Sequence, residues 1–216
     1  MLHLLNLFEF IFSKPLAYFL KTFGKIRRKI AEKNLEVCFP ELNELDRSKI
    51  LNKHYLHLGA SIFNGLKAWI LSNQHFEKLL INLDEFDLDE LRKSLQGNLV
   101  LIPHTTDLEI TGRVAAMIFD INAMAKKQKG KLVNNFIFSS RDKYFKQILF
   151  PNEVLKSMRL LQKGENLYED LALLNNEIEI SIREQPERYL WIHRRFKHRP
   201  KDDLEIYDQS LMRKKR

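Results

Sequence analysis

The stretch that decides the predicted fold is HTTDLE, residues 104–109, directly after the apolar run LVLIP, residues 99–103. In a single helix, side chains five residues apart lie about 140° apart around the axis, so His104 and Glu109 would not meet. In a single strand they would point to opposite faces. The two side chains converge only where a strand changes to a helix between them, and this places the chain in the α/β class.

The residues around this stretch favour such a change from strand to helix. We predict a short buried strand over Asn98–Ile102, ended by Pro103, and a helix over Asp107–Phe119 that begins at one of several capping residues. His104 would then stand at the carboxyl end of a strand, where open α/β sheets bind ligands. Glu109 would fix the tautomer of its imidazole, as a general base requires. The alternative is an ordinary surface hydrogen bond at a helix start.

The motifs give little indication of metal or redox chemistry. A helical zinc site needs a second histidine close to the first, and none follows His104 within the motif spacing. The single cysteine, Cys38, excludes an intramolecular disulfide and fits a reducing compartment.

The formal charge of +8 is concentrated in three basic clusters. Such clusters bind phosphate, on nucleic acid, anionic lipid or a phosphorylated substrate. The clusters are residues 25–29, 194–199 and 213–216.

The amino-terminal residues favour lipid among these partners. Leu2–Leu20 is rich in Leu and Phe, but Glu9, Lys14 and Pro15 interrupt it too often for a spanning helix. It also lacks the features of a secretory signal. We expect a helix that lies in or dips into a membrane, with the basic residues after it on the cytoplasmic side. A helix packed on the chain's own core is the alternative.

The low glycine content, 7 of 216 residues, predicts a helix-rich protein with few strands. The predicted helices are 16–39, 45–70, 76–83, 87–94, 107–119, 154–162 and 168–183. The predicted strands are 98–102, 121–124, 135–138 and 189–192. Surface loops are predicted at 82–86 and 126–131.

Three blocks resemble one protein family. The blocks are residues 28–42, the stretch from His104 through Gly112-Arg113, and residues 185–200, which include QPERYLWIHRRFK. These blocks, which follow one another in the same order, resemble the late acyltransferases of lipid A biosynthesis, of the lauroyl/myristoyl type. The resemblance implies a glycerolipid-acyltransferase-like α/β domain with a shortened mixed sheet and a membrane-associated amino-terminal helix. It also implies transfer of a fatty acyl chain from acyl carrier protein to a hydroxyl of a Kdo-bearing lipid A precursor, without a cofactor or metal, on the cytoplasmic face of the inner membrane.

The resemblance also suggests roles for individual residues. His104 would be the general base and Glu109 would orient it. Arg141 matches an arginine of the family's active site, and we assign it to the oxyanion or a substrate phosphate. Arg113 would orient Glu109 or contact substrate. Arg194 and Arg195 would bind phosphate or Kdo carboxylates, unless they only complete a surface.

The likeness stops after Leu167, where the family continues into an Asp-containing, Gly-rich segment and further strands that are missing here. We divide the chain into a membrane-associated segment, 1–24, an internally shortened acyltransferase-like domain, 25–205, and a basic tail, 206–216. A catalytically impaired, membrane-bound remnant that binds lipid or acyl carrier protein is the alternative to an enzyme. The aromatic and basic residues over 189–196 also suggest nucleic-acid binding, but the apolar amino terminus has no role in such a protein.

Overall fold

The computed structural model describes residues 2–80, 85, 87–95, 102–119, 121–124, 130–149, 167–197 and 205–207. In this part of the chain, helices predominate. The helices are α1 (Leu2–Phe23), α2 (Lys25–Cys38), α3 (Glu44–Ile70), α4 (Asn73–Glu77), α5 (Leu88–Leu95), α6 (Leu108–Ile118), α7 (Lys131–Arg141) and α8 (Leu167–Glu184). The strands are β1 (Asn122–Met124) and β2 (Gln147–Leu149), and a 3-10 turn covers Pro186–Arg188.

The predicted helices over 45–70, 87–94, 107–119 and 168–183 are confirmed as α3, α5, α6 and α8. The helix predicted over 16–39 is instead divided at Gly24 into α1 and α2. The amide of Gly24 donates to the carbonyl oxygen of Leu20 at 3.0 Å. A Cβ at Gly24 would collide with that same oxygen, so a residue with a side chain would have to move the backbone.

The sheet is a parallel pair, with Asn122 opposite Gln147 and Ala123 opposite Ile148. Parallel strands need a crossover connection, and α7 lies between β1 and β2 in the chain. The strand predicted at 121–124 is confirmed as β1. The mixed character predicted for the sheet is not seen among the described residues, whose strands run parallel.

Two predicted strands are wrong. Residues 135–138 are helical and belong to α7, which Gly130 precedes at a φ of 109°. In the stretch 189–192, Tyr189 forms a single antiparallel bridge to Thr105, and the chain turns at Trp191. β-Branched and aromatic residues suggested strands in both places, but this preference is weak and context-dependent.

Several predictions fall wholly or mostly outside the described residues. They are the strand at 98–102, of which Ile102 alone is described and is not in a strand, the helix at 154–162, and the loops at 82–86 and 126–131. The helix predicted over 76–83 is wrong where the chain is described, because α4 ends at Glu77 and residues 78–80 are not helical.

The chain divides into two compact units. The first unit comprises Met1–Leu5, Asn64–Pro103 and Asp107–Glu179. Its core is formed by the buried side chains of Ala68, Leu71 and Phe76. Partly buried apolar residues of α6, namely Ile110, Val114 and Met117, pack on this core at helical spacing. α6 is therefore held by one apolar face.

The second unit comprises Asn6–Phe63, His104–Thr106 and Ile180–Arg216. The buried residues of its main core are Ala31, Leu35, Phe39, Leu51, Tyr55 and Trp191. Asn34 lies beside this core, where its amide donates to the carbonyl oxygens of Trp191 at 2.6 Å and His193 at 2.8 Å. Its side-chain oxygen accepts a hydrogen bond from the buried Tyr207, which lies in the segment predicted as a basic tail. The packed part of this unit thus reaches at least Tyr207.

Helix α1 exposes most of its large apolar side chains. Phe10 is 82% exposed, Tyr18 72% and Phe23 71%, whereas Ala17 is buried. None of the helices in the described ranges combines the length and apolar character that crossing a membrane requires.

Candidate active site

Glu109 lies in the first turn of α6 in the first unit. Asp107 occupies the N-cap position, as one of the predicted alternatives, although its side chain makes no capping hydrogen bond. Its carboxylate instead accepts a hydrogen bond from Asn64 of α3 at 3.2 Å. The start of α6 is thereby tied to α3, and this fixes where the Glu109 side chain begins.

The Glu109 carboxylate is held from two other helices. Trp69 of α3 donates its indole N–H to Oε2 at 2.8 Å. Arg141, the last residue of α7, donates Nε–H to the same oxygen at 3.2 Å, and its Nη2 forms an ion pair with Oε1. Both side chains of this ion pair are mostly shielded, at 20% exposure for Arg141 and 26% for Glu109. Bidentate, partly desolvated pairs of this kind are the strong ones.

Arg141 therefore faces the motif glutamate, an arrangement that spacing in the sequence did not reveal. A guanidinium has five N–H donors, and the two bonds to Glu109 use two of them. The others leave the predicted contact with an oxyanion or phosphate chemically open. That role stays a prediction.

Arg113 is buried, with 3% of its surface exposed, and its contacts are internal to the first unit. It donates Nη1–H to the carbonyl oxygen of Ala68 at 2.6 Å and Nη2–H to Oδ1 of Asn73 at 3.2 Å. Its guanidinium lies 4.2 Å from the ring centroid of Phe76 and 3.9 Å from that of Tyr144. Burial lowers the pKa of Arg113, which the nearby Tyr144 opposes. These contacts favour a packing role over the substrate contact predicted from the motif.

His104 belongs to the second unit, and its side chain is exposed. Hydrogen bonds to residues 188–190 hold the backbone at His104 and at Thr106. The carbonyl oxygen of His104 accepts the amide of Leu190 at 2.9 Å, and the amide of Thr106 donates to the carbonyl oxygen of Arg188 at 2.8 Å. The second and last of the three motif blocks are thus joined through the backbone. Because His104 and Glu109 lie in different units, their pairing stays a prediction.

His193 is a neighbour of His104 that our sequence analysis did not single out. The two imidazole centroids are 6.3 Å apart in an edge-to-face arrangement. Desolvation lowers the pKa of His193, and His104 and nearby arginines add to this effect. Its place in the closing motif, directly before Arg194 and Arg195, was the signal in the sequence that could have identified it.

Arg194 and Arg195 follow His193 in the turns after Trp191. Arg195 is exposed, whereas Arg194 is half-buried and already engaged in an interaction. Both contribute to lowering the pKa of His193, so they lie close enough to influence it electrostatically. Their binding of phosphate or carboxylate stays a prediction.

Trp69 and Asn64 are further site residues that the sequence did not suggest. Each lies in the last part of α3, more than thirty residues before the motif. Within the described part of the chain, no group of three or more His, Cys, Asp or Glu side chains is arranged to hold a metal ion.

Comparison with known proteins assigns the chain to a class of enzymes that transfer acyl groups. The model of the family described as bacterial lipid A biosynthesis acyltransferase matches residues 6–169 and 161–198. The chain therefore belongs to this family, which confirms the class predicted from the motifs.

Three relatives are similar over different shares of the chain. The lipid A biosynthesis palmitoleoyltransferase of Escherichia coli (strain K12) is 23% identical over 260 residues, covering 87% of this chain and 84% of that protein. The lipid A biosynthesis acyltransferase of Shigella flexneri gives the same values. The lipid A biosynthesis lauroyltransferase of Escherichia coli (strain K12) is 24% identical over 143 residues, covering 66% of this chain and 47% of that protein.

The longest of these alignments contains many positions that have no counterpart in this chain. Because 87% of 216 residues is about 188, at least about 70 of the 260 aligned positions have no residue here. The family model also matches in two pieces that meet near residue 165. Both findings agree with the internal shortening predicted after Leu167.

Proposed function

We propose that this chain transfers a fatty acyl group from acyl carrier protein to a hydroxyl of a Kdo-bearing lipid A precursor, with His104 as general base. The observation that carries the proposal is the fixed backbone at His104, which is bonded to residues 188–190 of the closing motif while the imidazole stays exposed. A base must be held in place and still be reachable by the substrate hydroxyl. Membership of the lipid A acyltransferase family supplies the reaction class.

The chemistry requires no enzyme nucleophile. His104 removes the proton of the acceptor hydroxyl as its oxygen attacks the thioester carbonyl. The tetrahedral intermediate then collapses, the carbon–sulfur bond breaks, and the imidazolium returns the proton to the leaving thiolate. General base catalysis of this kind contributes about 10²- to 10⁴-fold.

Glu109 would orient the imidazole. A carboxylate has about four lone-pair positions, and the described donors, two from Arg141 and one from Trp69, occupy three. One acceptor position on Oε1 therefore suits an imidazole N–H.

The negative oxygen of the intermediate needs a donor, and the acceptor carries acidic groups. We assign the remaining N–H groups of Arg141 to the oxyanion or a substrate phosphate. Arg194 and Arg195 suit phosphate or Kdo carboxylates, since guanidinium binds such groups bidentately. For Arg113, the buried contacts leave positioning of the helices around the site as the better proposal.

We also propose that the enzyme works on the cytoplasmic face of the inner membrane, with α1 lying in the interface. The exposed aromatic residues of α1, followed by exposed Lys25, Arg27 and Lys29 of α2, form a surface suited to an anionic bilayer. Such a position would bring the site to a lipid acceptor without requiring a span.

The test is acyl transfer in membranes. The chain is expressed in a host that lacks its own late acyltransferases, and its lipid A is weighed by mass spectrometry. We expect a gain of one acyl chain that His104→Ala and Glu109→Ala abolish. His75→Ala is the matched control, because His75 is an exposed histidine of α4 outside the motif. Loss of activity in the control, or retention of it in His104→Ala, would contradict the assignment.

A second candidate is a non-catalytic remnant of the family that still binds lipid or acyl carrier protein. The roughly 70 aligned positions without a residue in this chain favour this candidate, because missing strands would shorten an acyl groove. Each methylene buried in such a groove contributes about 0.8 kcal/mol. An unchanged lipid A mass, with folded protein present in the membrane fraction, would support this candidate over the enzyme.

A further inference from the structure

Trp69 makes a contact that its packing alone does not require. Its ring packs edge-to-face on Phe136 of α7, with centroids 5.9 Å apart and planes at 85°. Its indole N–H nevertheless points to the motif carboxylate and donates to Oε2 of Glu109 at 2.8 Å. Gly65, one helical turn earlier on α3, is buried beneath both side chains, and a Cβ there would lie 3.7 Å from the Trp69 ring and 3.9 Å from Cγ of Glu109.

The indole and the guanidinium hold the carboxylate together. Oε2 accepts from Nε1 of Trp69 and from Nε of Arg141 at 3.2 Å, while Oε1 pairs with Nη2 of Arg141. Arg141 alone would leave the carboxylate free to move, because the arginine side chain that holds it is itself long and flexible. The indole is a rigid donor with two rotatable bonds, and it can never act as an acceptor. It therefore fixes which oxygen faces α3.

We propose that Trp69 is a positioning residue for acyl transfer, acting through its N–H bond to Glu109. This inference rests on the proposed function, in which Glu109 orients His104. Because Trp69 acts through another residue, its loss should slow turnover and leave substrate binding nearly unchanged.

Two substitutions separate this role from simple packing. Trp69→Phe keeps an aromatic ring against Phe136 and removes the donor. Trp69→Gln removes the ring, but its amide nitrogen stands the same number of bonds from Cα as the indole nitrogen and restores a donor. Packing alone predicts that Phe is the milder substitution, whereas positioning through the N–H predicts that Gln is.

The experiment measures initial rates of acyl transfer with the full chain in membranes, at varied concentrations of acyl donor. We expect Trp69→Phe to lower kcat roughly tenfold with KM within about twofold, as for loss of one oriented hydrogen bond to a charged group. Trp69→Gln should retain more of the wild-type kcat than Trp69→Phe. Phe136→Leu, which removes the ring contact and leaves the N–H bond, is the matched control and should stay within about twofold of wild type.

A spectroscopic measurement covers the case in which a variant folds poorly. The chain contains two tryptophans, Trp69 and Trp191, so ¹⁵N-labelled indoles give two signals from the full chain in detergent. Glu109→Gln should shift the Trp69 indole signal and leave that of Trp191, which donates to the carbonyl oxygen of Pro186, in place.

The outcomes distinguish the two proposals. If Glu109→Gln is inactive and Trp69→Phe is fully active, the positioning role of Trp69 is refuted while the proposed function stands. If Glu109→Gln is itself fully active, the proposed role of Glu109 fails, and that of Trp69 fails with it. An unmoved Trp69 signal in Glu109→Gln would also overturn the inference.

Discussion

Replacement of Arg113 by lysine tests whether this motif arginine serves the fold or the substrate. The substitution keeps the positive charge but loses the planar guanidinium between Phe76 and Tyr144. An ammonium group can keep one of the two bonds to the Ala68 carbonyl and Asn73. Arg113 is 3% exposed, so water cannot replace the lost partner.

The expected cost follows from these contacts. One hydrogen bond to a charged group contributes about 1.5–3 kcal/mol, and part of the desolvated cation–π energy is lost as well. We expect Arg113→Lys to lower the free energy of unfolding by about 2–3 kcal/mol. For a chain of this length that corresponds to a melting temperature lower by roughly 4–12 °C.

The assay compares thermal unfolding by circular dichroism with acyl transfer per folded protein at 20 °C. Transfer should remain within about twofold of wild type, because Arg113 is assigned no contact with substrate. Arg92→Lys is the matched control. Arg92 is an exposed arginine of α5 that bonds the carboxylate of Asp89 and the carbonyl oxygen of Ile118, and exposed substitutions change stability by about 0.5 kcal/mol or less. A variant of Arg113 with wild-type stability and no transfer would refute the packing role.

Two further predictions concern His54 and Gly59 of the second unit. Burial lowers the pKa of His54 to about 4, so below pH 6.5 the unfolded chain binds a proton that the folded chain does not, and stability is lost as pH falls from 6.5 through 4. We expect this group to lower the free energy of unfolding by about 2 kcal/mol at pH 5 relative to pH 7. In His54→Gln, the urea midpoints at pH 5 and pH 7 should therefore differ less than they do in the wild type. Gly59→Ala should cost about 1–3 kcal/mol in urea unfolding, because a Cβ there collides with the backbone carbonyl of Ser13 on α1, whereas Gly65→Ala meets ordinary contacts and should be near neutral. Equal stability of the two alanine variants would contradict the close approach of α1 and α3 at Gly59.

The sequence predicted those helices whose apolar periodicity agrees with their packing. α3 was predicted from residue 45 and begins at Glu44, because apolar residues recur along its whole length at helical spacing. The division at Gly24 was missed because the periodicity continues on both sides of it. The strand predicted over 135–138 was wrong because Phe136, Ile137 and Phe138 favour strands locally, whereas the chain crosses over from β1 to β2 through α7, as parallel connections usually do.

The candidate site was predictable only where the motif is local. HTTDLE located Glu109 at the start of α6, because a capping residue and an apolar stripe mark that start in the sequence. The partners of Glu109 come from α3 and α7, each about thirty or more residues away, and a single sequence carries no signal for such pairing. The burial of Arg113 was equally hidden, since an arginine two turns into a motif helix suggests exposure.

The bonds between residues 104–106 and 188–190 also set an order of events during synthesis. The amide that fixes the carbonyl of His104 belongs to Leu190, which is made 86 residues later. At about 5–20 residues per second, a ribosome needs roughly 4–17 s to travel that distance. Throughout that interval His104 is present in the nascent chain without the backbone hydrogen bond to Leu190 that it has in the finished protein. The proposed membrane contact of α1 is thus available to the nascent chain well before the proposed base is held in place, so membrane binding can precede catalytic competence.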